Sequence, residues 1–178
     1  FLIMASILFG TFLPLTPVQI LWVNMVTSVT VSLALAFEPL DPQAMEKPPR
    51  PPDERILDSY FIFRIVYVSI LIGGGTLLLS LYLDRTGTHS EATLRTVTMQ
   101  AIVLAQMFHL FNNRSIRRSA FCCDFYSNKA VFVVSALMVI LQLSVTYLPF
   151  MNRIFGTVPI PARGWLYPIM LGLAVFFL

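Results

Sequence analysis

Asn24, Thr27 and Ser28 stand at i, i+3 and i+4 inside an uncharged run from Val18 to Phe37. On a helix of about 3.6 residues per turn they follow one line. Carbonyl and hydroxyl oxygens in that arrangement can replace part of a metal cation's hydration shell. They can equally hydrogen-bond a neighbouring helix, because Ser, Thr and Asn are the usual polar residues at such contacts, and the residues alone favour this second use. Thr30 and Ser32 lie further round, so small hydroxyls are frequent here. Gln106, His109 and Asn112 form a second polar line at i, i+3 and i+6. Gln106 is deep in its apolar run. His109 is near the end, where an interfacial histidine is the ordinary case.

These residues need membrane helices to position them. The chain of 178 residues is 57% hydrophobic and 12% charged, with a mean hydropathy of +0.77; soluble domains carry roughly a quarter charged residues. The nine acidic residues all fall between apolar runs, as do almost all of the twelve basic ones. That distribution predicts an all-α fold, a polytopic membrane helical bundle. Runs that reach or approach the roughly 20 residues needed to span a bilayer occur at 1–13, 18–37, 60–83, 96–111, 131–148 and 165–178. Six spans are therefore expected, the first and last truncated. Gly73, Gly74 and Gly75 in the third would let another helix approach closely.

Lys and Arg concentrate in the connections 38–59 and 112–130, which the positive-inside rule makes cytoplasmic. The connections 84–95 and 149–164 hold fewer and fall on the other side. Pro39, Pro42, Pro48, Pro49, Pro51 and Pro52 give the first cytoplasmic loop an extended, stiff backbone suited to a strut, a docking surface or a plain spacer. The net charge of +3 is dispersed among loops and suits lipid headgroups, with no stripe that would grip nucleic acid. Adjacent Cys122 and Cys123 imply no disulfide framework and are expected to be free thiols. Phe1 is not an initiator Met, and Leu178 falls inside an apolar run, so the sequence is expected to be a piece of something larger.

No glycine-rich phosphate loop, Ser/His/Asp arrangement or carboxylate pair within a span is present, and His109 lacks the partners a resident metal centre would need. The fragment alone is expected to catalyse nothing.

The run PVQILWVNMVT (Pro17 to Thr27), the exit AFEP (Ala36 to Pro39) and MEKPPR (Met45 to Arg50) resemble the sixth transmembrane helix and following loop of type II P-type cation-transporting ATPases, including calcium pumps and their bacterial relatives. VLAQMFHLFNNRS (Val103 to Ser115), SNKA (Ser127 to Ala130) and FGTVP (Phe155 to Pro159) resemble the eighth helix, the approach to the ninth and the loop before the tenth. The resemblance covers essentially the whole chain, in order. It implies that the six spans are the family's fifth to tenth transmembrane helices, that the proline-rich loop abuts the phosphorylation domain, and that ATP and Mg2+ act in cytoplasmic domains upstream of Phe1, with no cofactor in the fragment itself.

Residue by residue, the calcium-pump pattern Asn-x-x-Thr-Asp falls on Asn24, Thr27 and Ser28, and the acidic contributor of the eighth helix falls on Gln106. The resemblance implies that these four line a transported-cation pathway, with Ser28 and Gln106 supplying neutral oxygens where calcium pumps supply acids. The implied partners are the transported cation, the upstream part of the same pump and membrane lipid, with no nucleic acid. The implied location is the cell membrane, crossed several times. Two rivals remain at this stage: a channel or secondary-carrier subunit, and a structural module that binds a partner through loop 38–59.

Overall fold

The computed structural model describes residues 1–37, 59–87, 90–113 and 129–177. The proline-rich loop, both cysteines and most of the second basic connection lie outside these residues. Within them the secondary structure is helical: α1 (Leu2–Leu8), α2 (Pro17–Ala36), α3 (Ser59–Arg85), α4 (Glu91–Asn113), α5 (Lys129–Tyr147), α6 (Pro149–Phe155) and α7 (Leu166–Phe177), the last led in by a 3-10 turn at Ala162–Trp165. By length and apolarity α2 and α3 can each cross a membrane, and α5 with α6 makes a third candidate if that bent pair is one span.

The start of α2 is written in four residues. Thr16 Oγ1 accepts from the Gln19 amide at 3.3 Å, while the Thr16 amide donates to Gln19 Oε1 at 3.1 Å. Pro17 fills the first helical position, where no amide hydrogen is needed. Gln19 is fully buried because its remaining Nε2 also has a partner, the Phe155 carbonyl at 3.0 Å. Thr16→Ala removes one half of this reciprocal cap and is expected to lower stability by about 1 kcal/mol, read as a lower thermal midpoint in detergent.

Of the two helices that can each cross a membrane alone, the one with the more apolar window is the less buried: the window of α3 has mean hydropathy 2.0 and is 11% buried, whereas that of α2, at 1.6, is 39% buried. Helix α4 carries Thr96, Thr98, Gln100 and Gln106 and packs against α2, α3, α5 and α7. Polar side chains at membrane depth are costly unless protein receives them, so the least apolar helix takes the centre. Its buried residues Met99, Val103, Leu104 and Ala105 meet Trp22, Val23 and Val26 of α2, Met138 and Val145 of α5, and the face of α7 that carries Gly172.

Glycines set two of these contacts. A Cβ at Gly73 would lie 2.4 Å from the Phe1 ring, and one at Gly75 would lie 2.6 Å from Leu171, so the expected close approach occurs at both. Gly74 faces open space.

One region differs from the sequence reading, which treats 149–164 as a connection. Tyr147 ends α5, and after Leu148 the chain turns by 83° into α6. A residue before proline is driven out of the helical region, and Leu148 is extended (φ −77, ψ 123), yet Pro149 can itself begin a new helix. Gly156 ends α6 in the left-handed region at φ 60, which suits a residue without a Cβ. The Thr157 hydroxyl then donates to the Val145 carbonyl at 2.6 Å, pinning α6 back against α5. Helix α4 starts at Glu91, a few residues before the apolar run that begins at Thr96.

Candidate functional site between helices α2 and α4

An open cleft of about 260 Å³ lies where α2 passes α4. Thr27, Ser28 and Val31 line it from α2, and Gln106, His109 and Leu110 from α4. It has room for several waters or for an ion with part of its hydration shell. Three of the four sequence-predicted cation residues thus meet in one place.

Thr27 is 7% exposed, and its hydroxyl donates to the Val23 carbonyl at 2.7 Å. A threonine hydroxyl has one hydrogen and two lone pairs, so spending the hydrogen on the backbone leaves only acceptor character for the cleft. Ser28, at the next position, is exposed. On α4, Gln106 Oε1 is buried and has no hydrogen-bonding partner among the described residues. A buried acceptor left this way destabilises by roughly 1–3 kcal/mol unless water or a ligand meets it. The oxygen is therefore poised toward a donor or a positive charge.

Asn24 does not line the cleft. It is exposed on α2, one turn before Thr27 and Ser28. At about 100° per residue, Asn24 and Ser28 lie within about 40° of each other, while Thr27 is rotated toward the packed side. The polar line therefore straddles the boundary between the packed stripe of α2 (Gln19, Trp22, Val23, Val26, Thr27, Thr30, Ala34) and its open flank. His109, which the sequence suggests is an interfacial residue, contributes to the cleft wall beside Gln106. Its i+3 spacing from Gln106 was the available signal. Asn112, the third member of that line, turns elsewhere: its Nδ2 donates to the Val175 and Phe176 carbonyls at 3.1 and 3.2 Å, and its own carbonyl accepts from Arg64 at 3.0 Å. It ties the ends of α3, α4 and α7 together.

Sequence reasoning passed over a second polar cluster, also between these helices. Trp22 Nε1 donates to Gln142 Oε1 at 2.8 Å, Gln142 Nε2 donates to Gln100 Oε1 at 2.8 Å, and Gln100 Nε2 donates to the Thr146 hydroxyl at 2.5 Å. Trp22 is 6% exposed, Gln142 is 1%, and Gln100 and Thr146 are fully buried. Its signal was a pair of glutamines in otherwise apolar or hydroxyl-bearing runs.

Among the described residues no group of three or more His, Cys, Asp or Glu comes together. What the cleft offers is neutral oxygen and one imidazole. Such a lining suits transient passage of a cation better than permanent tenure of a structural metal.

Residues 12–178 match the family described as cation transporting ATPase, C-terminus. A Mycobacterium tuberculosis protein named Probable cation-transporting ATPase F is 37% identical over 164 residues, covering 92% of this chain and 18% of the relative. Calcium-transporting ATPase 1 of Yarrowia lipolytica is 31% identical over 165 residues, 93% of this chain and 18% of the relative. The calcium-transporting ATPase of Bacillus subtilis is 32% identical over 159 residues, covering 88% and 18%. The chain spans about a fifth of the length of the curated relatives it matches. A helical, strongly apolar chain matched from Phe12 to its last residue by that family, with a neutral-oxygen cleft between two of its helices, is an integral membrane member of the cation-transporting ATPases and corresponds to their C-terminal region.

Proposed function

We propose that this chain is the C-terminal membrane part of an ATP-driven cation pump, crossing the membrane six times at the boundaries given above and supplying one half of the ion-binding pathway together with scaffold helices. The unpartnered, buried Oε1 of Gln106, a residue that lines the same cleft as Thr27, carries the reading. An acceptor oxygen buried without a donor is destabilising in an empty bundle and is relieved when a cation arrives. Thr27 supports it with a hydroxyl whose hydrogen is already committed. Ser28 adds a second hydroxyl, and Asn24, on the open flank of α2, would complete a site only with residues from elsewhere in the pump.

Binding through neutral ligands from this side leaves charge compensation to the remainder of the pump, whose upstream membrane helices are the expected partner. Phosphoryl transfer, with its ATP and Mg2+, belongs to cytoplasmic domains outside this chain, so the fragment by itself is inactive. The basic connections 38–59 and 112–130 face the cytoplasm, lipid surrounds the apolar flank of α3, and the cell membrane is the setting.

Thr27→Ala and Asn24→Ala in the full-length pump are expected to raise the Ca2+ concentration for half-maximal phosphorylation at least about tenfold, a loss of about 1.4 kcal/mol in cation binding, with normal amounts of protein in the membrane. Wild-type cation dependence in both variants rejects the reading.

A further inference from the structure

The helices that form the cleft wall, α2 and α4, are joined one to two turns away from it by a side chain belonging to neither. Gln142 of α5 accepts from Trp22 of α2 and donates to Gln100 of α4. Its backbone carbonyl accepts from the Thr146 hydroxyl at 2.7 Å and more weakly from Gln100 Nε2 at 3.4 Å. Trp22 precedes Thr27 by five residues and Gln100 precedes Gln106 by six, so at about 1.5 Å per residue the bridge lies roughly 7–9 Å from the cleft along both helices. Every amide oxygen and the indole hydrogen in it has a partner.

Two features make this bridge more than ordinary packing. Between helices in a membrane the hydrophobic effect contributes little, so hydrogen bonds and close packing decide rotation and register. A buried polar residue with a fixed set of partners admits one register, because a slip of one residue would leave indole and amide groups unmatched in a dry interior. The apolar residues around it, Val23, Val26, Met99, Val103 and Met138, could slide past one another with far smaller penalties. Trp22 thus holds the same packed face of α2 that carries Thr27.

We propose that Gln142 is a positioning residue for cation binding: through Trp22 and Gln100 it sets the rotation of α2 against α4 and hence the separation of the Thr27 and Gln106 oxygens. This rests on the cation-pathway reading above. Neither Gln142 nor Trp22 lines the cleft. Their effect reaches the cation only through the geometry of the cleft.

The test uses the full-length pump in membrane vesicles, with buffered Ca2+ as the probe and phosphorylation as the readout. Gln142→Leu keeps the side-chain volume and removes both hydrogen bonds. Trp22→Phe keeps a ring against Phe155, whose centroid lies 4.8 Å from that of Trp22, and removes the donor together with the second ring of the indole. Half-saturating Ca2+ is expected to rise about tenfold in Gln142→Leu and roughly threefold in Trp22→Phe, with the maximal phosphorylation level falling by less than that. A merely structural role would lower the amount of protein and the maximal level while half-saturation stayed at the wild-type value, and that result overturns the proposal. Thr27→Ala run alongside separates the two ideas: a shift in Thr27→Ala without one in the other two leaves the cation pathway standing and removes the positioning role. Failure of all three to shift it rejects both. Should Gln142→Leu not reach the membrane, Trp22→Phe decides alone by the same criterion.

Discussion

Gln106→Glu in the intact pump is expected to tighten Ca2+ binding by about tenfold or more, seen as a lower half-saturating concentration for phosphorylation. The substitution is close to isosteric and puts a carboxylate where a neutral amide oxygen now stands without a partner. Two unit charges 4 Å apart attract by about 4 kcal/mol at an effective dielectric of 20. Taking the new carboxylate out of water offsets several kcal/mol of the attraction to a divalent ion. A surplus of about 1.4 kcal/mol is enough for tenfold. The same substitution should destabilise the protein in a chelator, since the buried carboxylate then lacks a counter-charge. A variant with unchanged Ca2+ dependence and unchanged stability in chelator would mean that Gln106 does not face the ion.

Gly172→Leu is expected to be the most damaging packing change. Gly172 is buried on α7, and a Cβ there would come within 2.4 Å of Phe108 Cδ2 and 3.4 Å of the Leu104 carbonyl oxygen. Leu104 and Phe108 are one turn apart on α4, so Gly172 occupies the notch between them and lets the two backbones approach. Overpacking of this kind costs about 1–3 kcal/mol, which corresponds to a fall of roughly 2–12 °C in the thermal midpoint in detergent. Gly172→Ala should lose much less, because the Phe108 ring can turn aside for one methyl group while the carbonyl remains at ordinary contact. Equal midpoints for wild type and Gly172→Leu would show that α7 does not dock on α4 as described.

Residue patterns reveal some of this architecture more readily than others. The limits of α2 and α3, the polarity of α4 and the glycine contacts of α3 follow from local rules: proline at the first turn, span length and the absence of a Cβ. The pairing of Thr27 and Ser28 with Gln106 was legible through resemblance, since nothing in the spacing of either line says which helix will face which. The exposure of Asn24 was not legible. Three residues spread over about 100° of a helix fall on one side or the other of a packing boundary according to the rotation of that helix, and contacts with residues distant in sequence decide that rotation. The Gln100–Gln142 bridge escaped notice for a related reason, because a lone glutamine in each of two distant runs gains meaning only when they meet. Helix α6 was hidden within an apparent loop. The Leu148–Pro149 step announces the end of α5, but the short helix that follows depends on Gln19 and Thr157 to hold it.

The fold-back of α6 also bears on where an ion can travel. Its Phe155 carbonyl is held by Gln19 and its ring rests on Trp22, so the far end of the seam enclosed by α2, α4 and α5 is stoppered by an aromatic pair. Above that stopper the seam is filled by Val26, Met99, Val103 and Met138. Among the described residues, the middle of these three helices is therefore filled by side chains and not open. On the outer flank of α2, by contrast, Ser28 and Asn24 are exposed one turn apart, so the polar groups of this helix meet the surroundings there and not along the seam.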